Sequence, residues 1–341
     1  MRYDIEKKTA VAAVAEACRL CRTVQKNLVS IETISKEDRS PVTVADFGAQ
    51  AIVSYILHRA FPDIPLMAEE HSNRLVRPEN SILKQRVVEN VRQVKPQLDE
   101  TSILAAIDRG SHRGGANGRF WCLDPVDGTK GFLRRDQYAV ALALIDHGEV
   151  VLGVLGCPNL PLDMEKPEDT AGCLVVAVRN EGAFMSPLES INERLNIQVD
   201  DIVDPTRAKF CESVESGHSS HGDAAQVAAL LSVQEPPVRI DSQCKYAVVA
   251  RGDASIYLRL PTAGIDIDEP DRYVEKNWDH AAGSIIIEEA GGSVSDVYGK
   301  KLDFSRGRTL DKNVGVIVTN GLIHDRVLEA VEQVLGSRDE G

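Results

Sequence analysis

Residues 118–133 read Gly118-Arg-Phe-Trp-Cys-Leu-Asp124-Pro-Val-Asp127-Gly-Thr129-Lys-Gly-Phe-Leu133, and the fold and the chemistry are both decided there. The apolar run Phe120–Leu123 has the composition of a buried strand. It runs straight into Asp124 and Asp127, which flank Pro125 and Val126 and precede Gly128. Proline and glycine at those places predict a compact turn that aims both carboxylates one way. The backbone N–H groups that open a helix just after it would face an anion. Oxygen ligands close together suit a hard dication such as Mg²⁺, which keeps waters and substrate phosphate in its shell. Taken alone, Asp127-Gly128 is also an ordinary turn dipeptide.

Three further acidic segments lie outward from this stretch: Ser40-Pro-Val-Thr-Val-Ala-Asp46, Ala68-Glu69-Glu70 and Trp278-Asp279. Each acid is expected at a strand end or in the first turn of a helix, where side chains can converge on a cleft. Each also has a plain reading. Thr43-Val-Ala-Asp46 fits a capping box, Glu69-Glu70 a solvated strand end, and Trp278-Asp279 a helix N-cap. Their joint occurrence around Asp-Pro-x-Asp-Gly-Thr is the signal. Together they could hold two or three dications, and a two-metal clamp suits in-line transfer of a phosphoryl group to water.

Apolar spacing of three and four marks a helix over the first 28 residues, and a second over about 43–61 that Pro62 ends. Residues 65–68 read as a short strand, and 79–104 as helical with Pro96 interrupting. Strands follow at 120–123, 139–145, 150–155 and 174–178, the middle pair joined by a hairpin at Gly148. The acidic, proline-containing stretch 198–205 marks a boundary. Beyond it, strands at 209–211, 238–240 and 254–260 alternate with helices at 223–231 and 245–250. A helix at 280–290, two short strands and a helix at 322–335 complete the chain. This reading predicts an α+β unit over 1–202 and an α/β unit over 203–341.

The 341 residues are 43% hydrophobic and 27% charged, enough for a sizeable core without disulfides. A net charge of −13 disfavours a nucleic-acid polymer as partner. A small phosphorylated ligand then requires cations to offset the field. No apolar run reaches the length of a membrane span, and the N-terminus has no leader-like segment, so the expected location is cytoplasmic. The seven cysteines read as reduced thiols. Cys18-x-x-Cys21 falls on the apolar face of a helix and reads as core. Cys157 and Cys173 flank a loop and could form a redox-sensitive pair. Dinucleotide and P-loop motifs are absent, and Asp124 and Asp127 are too far apart for an Asp-x-Asp nucleophile.

With these residues the chain resembles the lithium-sensitive, Mg²⁺-dependent phosphatase superfamily of inositol monophosphatase and fructose bisphosphatase. The resemblance spans nearly the whole chain, through Asn117-Gly-Arg119-Phe-Trp121, Gly128–Leu133, Asp136-Gln-Tyr138 and Trp278-Asp279-His280. Cys157-Pro-Asn-Leu-Pro161, Gly217-His-Ser-Ser-His221 and Asp241-Ser-Gln-Cys-Lys-Tyr246 are similar to its branch acting on nucleotide bisphosphates. It implies a layered α/β/α/β/α sandwich. It implies metal ligation by Glu69, Asp124, Asp127, Asp279 and the Val126 carbonyl, with Glu70 supporting the shell. Asp46 and Thr129 would activate the attacking water, and Thr129 would also touch the substrate. His218, Ser242, Lys245 and Arg259 would hold the nucleotide, with Asp279 near the sugar. The implied reaction removes the 3'-phosphate of adenosine 3',5'-bisphosphate, or of its sulfated analogue in sulfur assimilation. An inositol-phosphate 1-phosphatase or inositol monophosphatase is the alternative within the superfamily, and a non-catalytic nucleotide sensor the one outside it. His218 and His221 could instead pair on a metal, though Mg²⁺ prefers oxygen. The acidic stretch 261–276 departs from the pattern, and its Pro270 argues against an EF-hand loop.

Overall fold

Successive side chains of a strand point to opposite faces, and in the strands at the centre of this protein both faces are apolar. Trp121 and Leu123 face one core while Phe120 and Cys122 face another. Such strands need cover on both sides. The computed structural model describes residues 2–27, 34–35, 41–42, 44–166, 171–214, 221–261 and 273–337.

The first sheet follows chain order: β3 (Leu66–Ala68), β4 (Arg119–Asp127), β5 (Ala139–Asp146), β6 (Glu149–Cys157), β7 (Cys173–Val178), β8 (Gly182–Pro187) and β9 (Leu195–Ile197). Only the β3–β4 pair in it is parallel. A short ladder of β1 (Ile34–Ser35) and β2 (Pro41–Val42) precedes it. The second sheet orders β11 (Val238–Arg239), β10 (Phe210–Glu212), β12 (Ile256–Arg259), β14 (Val316–Thr319) and β13 (Ser293–Ser295).

Three cores define the layers. In the first, α1 (Asp4–Lys26) and α2 (Val44–Ala60) cover one face of the seven-stranded sheet. Asp4 and Glu6 open α1 and Lys26 closes it, which suits the helix dipole. Next to α2 lie α3 (Ser81–Val94) and α4 (Glu100–Asp108). Pro96 falls between them, and Asp99 caps α4 by accepting from the Ser102 N–H at 2.8 Å. In the second core, α7 (Cys244–Ala250) and α8 (Ala281–Glu289) lie between the two sheets. The sheet there is lined with Ala139, Ala141, Ala143 and Ala177, so α8 comes close. A Cβ at Gly153 would sit 2.5 Å from Ile285 Cγ2. In the third, α6 (His221–Leu230) and α9 (His324–Gly336) cover the far face of the second sheet. The result is the α/β/α/β/α sandwich.

The structure corrects the sequence reading in four places. Residues 124–128 are not a free turn: β4 runs through Asp127, with its register to β5 shifting between Asp124 and Asp127. Pro125 has no N–H to give the ladder, which is why a bulge forms here. Trp278-Asp279 does not cap α8 but lies in a 3₁₀ turn, Asn277–Asp279, with His280 at the N-cap. The helix expected to run to residue 104 continues to Asp108. Strands β8 and β9 were not expected, because Gly182–Ile197 alternates only weakly. Thr43, His218 and the acidic residues of 262–272 lie outside the described residues, as does any side-chain account of His221. Among the described residues no helix is long and apolar enough to cross a membrane. All seven cysteines are buried thiols; Cys18 and Cys21 lie in the α1 core, and Cys157 faces Cys173 across β6 and β7.

Candidate active site

The bulge at the end of β4 sends Asp124 and Asp127 toward one cavity with the Val126 backbone between them. Gly128 turns the chain at φ 85°, a left-handed conformation that suits glycine. A Cβ there would lie 2.8 Å from Ser242 Cβ, so the second half of the chain packs directly on the turn. Thr129 opens α5 (Thr129–Arg134), and its hydroxyl donates to the Val126 carbonyl at 3.3 Å. At six residues, α5 is too short for its N-terminus alone to define an anion site.

Three buried or half-buried side chains hold the surrounding segments. The Gln243 N–H donates to Asp127 Oδ2 at 2.5 Å, its Nε2 donates to the Trp278 carbonyl at 2.9 Å, and its Oε1 accepts from the Gly283 N–H at 3.1 Å. One residue, through its backbone N–H and its side-chain amide, thus ties β4 to the Asp279 turn. Gln50 accepts from the Glu70 N–H at 2.9 Å and donates to the Glu70 and Ile107 carbonyls, each at 2.7 Å. Arg308 donates to the Ala68 carbonyl at 2.5 Å and to His112 O at 2.9 Å, and lies 4.7 Å from the Trp278 ring. It therefore braces the two loops that carry Glu69 and Asp279. Ser242 adopts φ 65°, an uncommon conformation for a residue with a Cβ and one that concentrates at functional sites.

The cavity, of about 180 Å³, brings together Glu69, Asp124, Val126, Asp127, Thr129, Ser242, Lys245, Arg259 and Asp279. Asp46, fully buried in the first turn of α2, and Glu70 are not on its wall. His218 lies outside the described residues. Lys130, Tyr257 and Tyr273 also line the cavity, and the sequence reading had singled out none of them.

Burial raises the Asp127 carboxyl, against the pull of Lys245. Burial, together with the charges of Glu275 and Asp127, pushes Asp279 well above the usual carboxylate range. Burial lowers the Lys245 ammonium, against the pull of Asp127. Carboxyls raised in this way mark a place short of positive charge. The donors are all oxygens, four carboxylates and one carbonyl, so the residues present fit Mg²⁺. A tighter group, Glu275, Asp279 and His280, has ligand atoms within 4.8 Å of one another. It is not a second such centre. Both Glu275 oxygens and both His280 nitrogens are engaged within the protein, by Arg259, by each other and by Tyr246.

Residues 4–335 match the Inositol monophosphatase family. Two curated relatives named 3'(2'),5'-bisphosphate nucleotidase are similar over nearly their full lengths. That of Schizosaccharomyces pombe is 45% identical, with 98% of this chain and 97% of the relative covered. That of Oryza sativa is 43% identical, with 99% and 96% covered. Among solved structures, Thermotoga maritima IMPase superposes with a TM-score of 0.66 at 21% identity, covering 98% of both chains. SuhB from Bartonella henselae gives 0.64 at 20% identity, covering 96% of this chain and 98% of that one. The two structures speak for the fold alone. The family is metal-dependent, with Mg²⁺ its usual ion, in keeping with the oxygen donors of the cavity. By the match across 4–335, the layered fold and the acidic bulge of β4, this chain belongs to the inositol monophosphatase family.

Proposed function

We propose that the chain is a Mg²⁺-dependent phosphatase that hydrolyses the 3'-phosphate of adenosine 3',5'-bisphosphate to give AMP and phosphate, and that it also accepts 3'-phosphoadenylyl sulfate. The observation that carries this reading is that one cavity holds both an acidic set and a basic set of side chains. Glu69, Asp124, Asp127 and Asp279 lie with Lys245 and Arg259 in the same space. A substrate with one phosphate would need only the first set. The names of the two nucleotidases support the same reading.

On this reading two or three Mg²⁺ ions are held by those four carboxylates and the Val126 carbonyl, with Glu70 supporting them. Bound there, the ions would supply charge stabilisation of the phosphoryl group and an acidified water. Thr129 and Asp46 act on the water. The Thr129 hydroxyl, fixed on the Val126 carbonyl, keeps its oxygen as an acceptor toward the cavity. Asp46, buried in the first turn of α2, is the second member of that pair. Lys245 and Arg259 hold the other phosphate, Arg259 through its planar fork and Lys245 as a point charge. Ser242 and His218 complete the nucleotide contacts, and Asp279 stands beside the sugar. The chain divides in function at the stretch joining the sheets: 1–202 carries most metal ligands, and 203–341 the nucleotide contacts with the last ligand.

The test is kcat/KM with Mg²⁺ for adenosine 3',5'-bisphosphate against inositol 1,4-bisphosphate on one preparation. A preference of about a hundredfold, equal to roughly 2.7 kcal/mol in the transition state, is expected. Equal or reversed preference would keep the metal chemistry and move the substrate to the inositol phosphates. Binding without turnover would make the chain a nucleotide sensor.

A further inference from the structure

Behind the basic side of the cavity runs a continuous chain of hydrogen bonds that neither metal ligation nor nucleotide contact requires. Arg259, on β12, donates through Nε to Glu275 Oε1 at 2.9 Å. The other oxygen of Glu275 meets His280 Nε2 at 3.0 Å. His280 Nδ1 meets the Tyr246 hydroxyl at 2.8 Å. A carboxylate only accepts, so Nε2 carries a proton toward Glu275, and Nδ1 and the Tyr246 hydroxyl share the next hydrogen bond. Glu275, His280 and Tyr246 are buried.

Each link reaches a different element. Tyr246 is next to Lys245 on α7, His280 is next to Asp279 at the start of α8, and Arg259 ends β12. The Glu275 backbone is itself held, its carbonyl accepting from the Leu310 N–H at 2.9 Å. Glu275 does not line the cavity, whereas Arg259 and His280 do. A guanidinium held by Nε presents its two Nη groups as a fork in one plane, the geometry that bidentate phosphate contact needs. A free arginine side chain would have to be ordered at the moment of binding.

We infer that Glu275 is a positioning residue which, braced by His280 and Tyr246, aims Arg259 at the second phosphate of the substrate and so sets the preference for bisphosphates. This rests on the reading of Arg259 as a contact to that phosphate. The carboxylate acts through Arg259 and touches no substrate.

The experiment compares adenosine 3',5'-bisphosphate with adenosine 3'-monophosphate, which has the same scissile group and lacks the second phosphate. The readout is the ratio of their kcat/KM values, at saturating Mg²⁺. Glu275→Gln should lower that ratio by about tenfold or more, the usual worth of a hydrogen bond to a charged group, mainly through the KM of the bisphosphate. In an Arg259→Met background the same change should move the ratio by less than about twofold, because residues acting as one unit are not additive. Equal losses on both substrates, or full additivity in the double variant, would overturn the proposal and leave Glu275 a structural residue. If Glu275→Gln does not fold, Tyr246→Phe removes one hydroxyl from the far end of the chain. It should lower the ratio by about threefold, and an unchanged ratio there would overturn the proposal equally. A wild-type chain that does not distinguish the two substrates would remove the reading of Arg259 itself, and with it the proposal.

Discussion

The acidic side of the cavity hangs on one bulged strand end and two loops beside it, whereas the basic side is assembled from a helix and a strand. Asp124 and Asp127 are three residues apart in sequence and share a cavity because a bulge at Pro125 puts them there. Lys245 and Arg259 are on separate elements of the second sheet's layers, and Arg259 is held by Glu275 from the segment before α8. The first side is pushed toward protonation by its own crowding: burial and neighbouring charge raise Asp127 and Asp279. The second is balanced internally. Glu275 is buried, yet Arg259 and His280 hold its carboxyl down at about 2. One side therefore waits for a cation from outside, and the other has its counter-charge built in.

The sharpest way to break this contrast is Asp127→Ala. On the metal reading, loss of this ligand should cut kcat by about 10⁴-fold, since charge stabilisation of the phosphoryl group contributes several kcal/mol. The fold should survive, because the carboxyl removed is one that burial disfavours. Turnover within tenfold of wild type would show that the acidic side does not hold the metal. Asp46→Ala comes next, with kcat lower by about 10²–10³-fold and an unchanged melting temperature, the scale of lost general-base assistance. An unaltered kcat would leave Asp46 as a residue of the α2 N-terminus alone.

Lys245→Met tests the opposite side. It should cost about 10–100-fold in kcat/KM for adenosine 3',5'-bisphosphate and little for the 3'-monophosphate, as expected when one partner of a buried charged contact is lost. Equal losses on both substrates would place Lys245 with the scissile group and dissolve the division into two sides.

How much of each side could be read from the sequence follows from the same difference. Asp124-Pro-Val-Asp127-Gly-Thr129 is legible because its ligands, turn residue and helix start are consecutive. Residues 120–123 and 139–145 read as strands from their unbroken apolar character, while the layered order of the sandwich was implied only by the resemblance. Gln243, Arg308, Gln50 and Glu275 were not legible. Each works across 16 or more residues of chain, and their residue types look like those of ordinary surface residues until burial is known. The bulge escaped for a related reason: a proline inside a strand reads as a turn unless the ladder beyond it is seen.

The smallest effect expected separates the two sides by pH. In the metal-free chain Asp127 and Asp279 have folded-state values above their ordinary 3.8, so the folded state binds more protons than the unfolded one. Stability of the chelated protein should therefore fall as pH rises from about 3.8 through those raised values. Glu275 runs the other way. Its depressed carboxyl contributes stability that is complete above 4.5 and is lost as pH falls toward about 2, metal or no metal. Mg²⁺ replaces the protons on the first pair only, so its stabilisation should grow as pH rises from about 3.8 through those raised values. At a hundredfold excess over Kd it should amount to about 2.7 kcal/mol, a shift of several degrees in Tm. Melting curves with Mg²⁺ and with chelator across that range give the increment directly. An increment independent of pH would mean that the ion does not sit among the raised carboxyls, and the acidic side would lose its claim to the metal.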